Sequence, residues 1–169
     1  MSSILTAIQQ RKRDNARASI EAIENEIMNT LRNIKQGGDH NCGSPMSCYV
    51  CSAVKVLNFT GDWERFLKPM ARICCGVDAA FPVLERLSRG RAMGLNTALW
   101  RRHLGQIVED GVEHECDNPL CVIGDAVSVI RGVPAEARAE VLATISGFLA
   151  IIDEAGEVME QEQIFHNLN

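Results

Sequence analysis

The sequence predicts an all-α protein of about seven helices, arranged as two pseudo-symmetric helix-loop-helix-helix units packed as one bundle-like domain. Three observations carry that expectation. Apolar residues recur at spacings of three and four in nearly every segment. Residues that start and stop helices stand where those stripes begin and end. No run alternates apolar and polar residues on either side of a hairpin turn. At 169 residues, 46% of them hydrophobic, the chain can bury one core, so residues 1–169 are expected to form a single domain.

Ala16, Ile20, Ile23, Ile27, Leu31 and Ile34 form one stripe of a long helix expected to begin near Ser3 and to stop at Gly37-Gly38. Ser44-Pro45 is a cap followed by a first-turn proline, the signal for a second helix through Val54, Val56 and Leu57. Thr60-Gly61-Asp62 breaks the chain. A third helix is expected from Trp63 to Cys75, bent at Pro69 and closed by Gly76. Residues 78–89 read as a separate short helix with Phe81, Val83, Leu84 and Leu87 inward, and the run from Gly90 to Gly94 reads as a joint. Asn96 can cap a helix whose stripe is Leu99, Trp100, His103, Leu104 and Ile107, ended by Gly111. Asn118-Pro119 repeats the cap-plus-proline signal ahead of Val127 and Ile130. Pro134 then starts a last long helix, with Val141, Ile145, Phe148, Ile152, Ala155 and Met159 in alternating steps of four and three.

Two stretches of the chain resemble each other. His40-Asn41-Cys42-Gly43-Ser44-Pro45-Met46-Ser47-Cys48 and His114-Glu115-Cys116-Asp117-Asn118-Pro119-Leu120-Cys121 agree in His-x-Cys, capping residue, proline, apolar residue and cysteine once Ser47 is skipped. The agreement continues into the following helix, where Ala53-Val54 matches Ala126-Val127 and Val56-Leu57 matches Val129-Ile130. An internal duplication is the simplest source, with units of approximately 16–76 and 95–160 joined by 77–94 and sharing one core.

Formal net charge is -5, which argues against a general nucleic-acid coat, but the charge is unevenly spread. Arg11, Lys12, Arg13 and Arg17 crowd the N-terminal segment, whereas Asp153, Glu154, Glu157, Glu160 and Glu162 crowd the other end. No aromatic residues are interleaved with the basic cluster to stack on bases, so two solvated helix faces are the plainer reading. The first residues put their basic cluster after the apolar ones, the wrong order for a secretory signal, and no stretch approaches the ~18 uninterrupted apolar residues of a membrane span. A cytoplasmic protein is therefore expected, its seven cysteines kept as thiols or bound to metal.

The cysteine and histidine loops carry the chemistry. Zinc takes four soft or borderline ligands in a tetrahedron, and a short loop can supply most of them with little entropy to lose. His40, Cys42, Cys48 and Cys51 form such a set, with Cys48 and Cys51 one helical turn apart at the start of a helix, where the dipole favours thiolate. The second loop offers His114, Cys116 and Cys121, but the position matching Cys51 is Gly124, so one ligand is missing. Cys74 or Cys75 is the first candidate to complete it, with Asp117, Asp125 and His103 behind; alternatively the position is open to water, a substrate or the exchangeable iron of a cluster. Histidine favours zinc over an iron-sulfur cluster, which prefers all-cysteine ligation. Ordinary buried thiols beside a surface histidine would leave the same pattern.

Glycine-rich phosphate loops, nucleophile elbows and paired Glu-x-x-His ligands are absent, so the expected function is non-enzymatic. It is a zinc-stabilised helical module that binds or regulates another protein, or pairs with itself through the long helices. A redox carrier or sensor built on an iron-sulfur cluster or on thiols is the alternative, and an enzyme using an open second site as a Lewis acid is a third.

Overall fold

The computed structural model describes residues 2–37, 49–87, 96–111, 113–114 and 121–167. They form six α-helices and one 3-10 turn: α1 (Ser2–Lys35), α2 (Tyr49–Thr60), α3 (Trp63–Leu87), α4 (Thr97–Asp110), α5 (Ile123–Gly132), the turn Ala135–Ala137, and α6 (Arg138–Asn167). No strand occurs among the described residues. Ser44-Pro45, Asn118-Pro119 and the run from Gly90 to Gly94 lie outside them.

One expected boundary is corrected. Helix α3 runs unbroken from Trp63 to Leu87, so Gly76 does not end it and residues 78–87 are not a separate helix; the described helices number six rather than seven. Gly76 is there to let a neighbour in. A Cβ built on it would stand 2.8 Å from Cδ1 of Ile152 on α6, closer than side-chain atoms tolerate. Pro69 and Pro82 both sit inside this helix, each removing one intrahelical donor. Burial of the surrounding apolar face outweighs those losses. Residues 77–87, assigned from the sequence to the joint between units, belong to α3 as well.

The helix breaks follow local chemistry. Gly37, Gly61 and Gly111 all have positive φ, and Gly111 caps α4 in the left-handed conformation. Between α2 and α3 the Thr60 hydroxyl donates to the Leu57 carbonyl at 2.6 Å, and the Asp62 carboxylate accepts from the Arg65 N–H at 3.4 Å. Asp62 thus serves the first turn of α3, as an N-terminal acceptor should. Trp63 Nε1 donates to Asn58 Oδ1 at 2.9 Å, holding the same corner from the other side.

Helix α3 is the centre. It packs most extensively on α6 and also against α1, α2 and α5, while α4 lies on α6. One core joins Leu31 of α1, Val56 and Leu57 of α2, Phe66, Met70, Ile73 and Val77 of α3, Leu104 of α4, Ile130 of α5 and Ile145 of α6, all buried. A smaller cluster of Ala80, Val83, Leu84 and Ala155 extends the contact between α3 and α6. Two stripes are rotated from the expected ones. On α1, Ile23 is 42% exposed and Glu24 is buried in its place; on α4, Leu99 is 56% exposed and His103 is exposed against the Trp100 ring edge.

Gly132, the last residue of α5, meets α3 even more closely than Gly76 meets α6. A Cβ on Gly132 would stand 2.2 Å from Cζ of Phe66, a ring that is itself buried in the core and has little room to move. Gly132→Ala is therefore expected to lower the free energy of unfolding by about 2–3 kcal/mol, as overpacking does. Phe66→Leu should lessen that penalty in the double variant, and a double-mutant cycle by urea denaturation reads the coupling.

Candidate metal centre

Of the nine side chains expected to bind metal, His40, Cys42, Cys48 and Cys116 lie outside the described residues. The other five are placed. Cys51 is half-buried in the first turn of α2. That end of α2 is held to α3 by Tyr49, whose hydroxyl donates to Asp78 at 2.9 Å and whose ring lies 5.5 Å from that of Phe81.

His114 and Cys121 come together. They flank the second loop, seven positions apart, and the Cys121 sulfur stands 3.4 Å from Nε2 of His114, with both residues half-buried. A thiol and an imidazole at that distance are in hydrogen-bond contact. The same separation suits two ligands of one ion: sulfur at about 2.3 Å and nitrogen at about 2.0 Å from tetrahedral zinc stand about 3.5 Å apart. Among the described residues no set of three or more histidine, cysteine, aspartate and glutamate side chains converges to hold a metal ion.

The first candidates for the missing ligand are elsewhere. Cys74 is fully buried in the apolar core, and burial, helped by the neighbouring Cys75 and Asp78, pushes its thiol up to about 12. Cys75 is half-buried, and burial together with the carboxylates of Glu24 and Asp78 raises it too. Both thiols are thus held protonated near neutrality in the metal-free chain. His103 is exposed on α4. Among the described residues none of these side chains gathers with His114 and Cys121 into a group of three.

Gly124, the counterpart of Cys51, lies in the first turn of α5. A Cβ there would meet only the His114 carbonyl oxygen, at an ordinary 3.7 Å, and the backbone is not in the left-handed region. Glycine is not required at this position by sterics. His114 and Gly124 border an open pocket of about 720 Å³ whose other walls include Asp62, Arg65, Glu113 and Arg131. Arg131 donates from Nη2 to the Ile107 carbonyl at 3.2 Å, tying α5 to α4.

A charge cluster that apolar periodicity could not reveal holds this end of α5. Arg72 on α3 lies between Glu24 of α1 and Asp125 of α5, with nitrogen-to-oxygen distances of 3.6 Å on each side. The carboxylates are only 11% and 15% exposed. Burial raises the Asp125 carboxyl above its ordinary value, with Arg72 pulling the other way and Glu24 adding to the rise. The one available signal was a charged residue recurring at an inward position, since Glu24 falls seven residues before Leu31 on the buried face of α1.

Compared with known proteins, the chain matches no family model, no curated protein and no solved structure. No helix among the described residues is long and apolar enough to cross a membrane.

Arg72→Met removes the cation shared by both carboxylates. The expected cost is about 2 kcal/mol, less than the roughly 3–5 kcal/mol of a fully buried pair because the Arg72 side chain is 32% exposed. Chemical denaturation reads it. A second expectation concerns pH. Asp125 has a folded-state value above its unfolded one, so its favourable contribution is complete below the unfolded value and lost as pH rises through the folded one. The stability of the native chain relative to Asp125→Asn should therefore rise as pH falls from about 7 to about 4, measured as the difference in urea midpoints.

Proposed function

We propose that this chain is a non-enzymatic, zinc-stabilised helical module that binds or regulates another protein. The observation that carries the reading is the 3.4 Å separation of Cys121 Sγ and His114 Nε2, which suits joint ligation of one tetrahedral ion. Cys116, in the same loop, is the third ligand of that site. His40, Cys42, Cys48 and Cys51 form the corresponding complete set in the first loop. Histidine in both sets favours zinc over an iron-sulfur cluster.

Duplication is part of this proposal. The order helix, helix, helix occurs twice, as α1–α2–α3 and α4–α5–α6, with a cysteine loop after the first helix each time. Matched positions also share an environment: Ala53 and Ala126, Val56 and Val129, Leu57 and Ile130 are all buried. Two loops of common origin would bind the same metal, with the second ion lacking one protein ligand. The partner surface in this reading is supplied by the long helices α1 and α6, which expose Ile23 and Met159. A second copy of the chain is one such partner, and a solution mass of 18.6 kDa would remove it. The setting is a reducing, cytoplasmic one, where the thiols persist.

A second reading rests on the same pair of atoms. A half-buried thiol beside an imidazole is a candidate redox sensor without any metal. Metal analysis and an absorbance spectrum of protein purified without oxygen separate the two. About one to two zinc per chain and no visible band are expected, with the His114→Ala, Cys121→Ala double variant losing one zinc and at least about 5 °C of thermal midpoint. Iron with sulfide would favour a cluster; absence of any metal would leave the thiol reading alone.

A further inference from the structure

We infer that this chain forms a symmetric dimer in which the basic first half of α1 from one copy lies on the acidic, uncovered end of α6 of the other. This takes up the partner surface of the reading above and depends on no metal.

Helix α4 covers only part of α6. The two run antiparallel: a Cβ on Gly105 of α4 would touch Leu142 of α6 at 3.6 Å, and Trp100, in the first turn of α4, donates from Nε1 to Asp153 at 3.3 Å. No turn of α4 precedes that one to follow α6 further, yet α6 continues to Asn167, roughly 20 Å at a rise of about 1.5 Å per residue. Asp153, Glu157 and Glu160 recur at steps of four and three, so the face that α4 covers is continued by carboxylates. Gly156, Glu157 and Glu160 are exposed, as is Met159 beside them. Among the described residues no ion pair neutralises Glu154, Glu157 or Glu160.

The complement is on α1. Its first half carries Arg11, Lys12, Arg13 and Arg17, with Asp14 the one acid among them. The positive end of the helix dipole falls on the same segment and adds to those cations. Ile4, Ile8 and Lys12 follow one another at steps of four, which places apolar residues in the basic row as counterparts for Met159. Within one chain the two surfaces are not paired: α1 packs on α2 and α3, α6 packs on α2, α3, α4 and α5, and α1 and α6 make no extensive contact with each other. Between two copies they meet twice, since a twofold axis gives each α1 the other copy's α6. Like charge disfavours the alternatives, α1 on α1 and α6 on α6.

Sedimentation equilibrium of the full chain tests the inference. A mass near twice 18.6 kDa is expected at an ionic strength of about 0.05 M, with a dissociation constant at least about tenfold larger at about 0.5 M, where charges are screened beyond a few ångströms. Two charge-reversed chains are then compared, one with Glu157→Lys, Glu160→Lys and Glu162→Lys, the other with Arg11→Glu, Arg13→Glu and Arg17→Glu. Each should sediment as a monomer while keeping the native circular dichroism. Mixed in equal amounts they should recover the doubled mass, because each offers the other the charges it lacks. A native chain that stays monomeric at low salt would overturn the inference without recourse to any variant. So would reversed chains that remain dimeric alone, or a folded pair that does not associate on mixing. Zinc analysis of the same samples judges the metal reading separately: a monomer with bound zinc sinks the dimer only, and a dimer without metal sinks the metal reading only.

Discussion

The close approach of α3 and α6 is the constraint on which the remaining packing depends. These two helices come from opposite halves of the chain, and the contact between them is the most extensive among the described residues. It is possible because Gly76, in the middle of α3, has no Cβ to hold Ile152 away. A helix interior normally disfavours glycine by about 1 kcal/mol against alanine, and that loss is offset by bringing two apolar faces into contact. Gly132 repeats the device at the end of α5, where the ring of Phe66 fills the space a side chain would need. Two absent side chains thus set how nearly α6 and α5 approach the central helix.

Electrostatics then fix the orientation of the helices around that contact. Arg72 faces a carboxylate on α1 and another on α5, so one cation on α3 bridges three helices. Buried charge pairs of this sort contribute little net stability against apolar replacements, but they penalise any arrangement that separates them. Further ties act at the periphery: Trp100 Nε1 donates to Asp153 at 3.3 Å between α4 and α6, and Lys55 pairs with Glu140 between α2 and α6 at 2.6 Å. Arg72 also bears on the candidate metal centre. Asp125 lies one residue beyond Gly124, so the ion pair that positions Asp125 positions the first turn of α5 beside His114.

Three of the described free cysteines, Cys74, Cys75 and Cys121, fall into two chemical kinds. Cys74 and Cys75 sit where burial and nearby carboxylates keep a thiol protonated, and they behave as small apolar side chains in the packing of α3. Cys121 sits beside the imidazole of His114, which itself borders a polar pocket. Adjacency in sequence to other cysteines therefore says less about reactivity than the dielectric and the charges around the sulfur. That distinction also separates the two loops. In the first, the metal ligands proposed are all local; in the second, three are, and among the described residues no further histidine, cysteine or carboxylate gathers with His114 and Cys121.

By itself the sequence determined the helical class and much of the buried core. Period reported the burial of Leu31, Val56, Leu104 and Ile145 directly, although on α1 and α4 the stripe is rotated from the expected one. The pairing of His114 with Cys121 was legible as loop spacing. Tertiary structure alone decided the rest. It carried α3 through Gly76 and two prolines, because packing on both sides outweighs local breaking signals that a single segment cannot weigh against anything. It turned Glu24 inward and Ile23 outward, because Arg72 from another helix makes a buried carboxylate tolerable. And it set Cys74 and Cys75 in surroundings that raise both thiols, because which neighbours surround a sulfur depends on how distant helices pack, and no spacing along the chain records that.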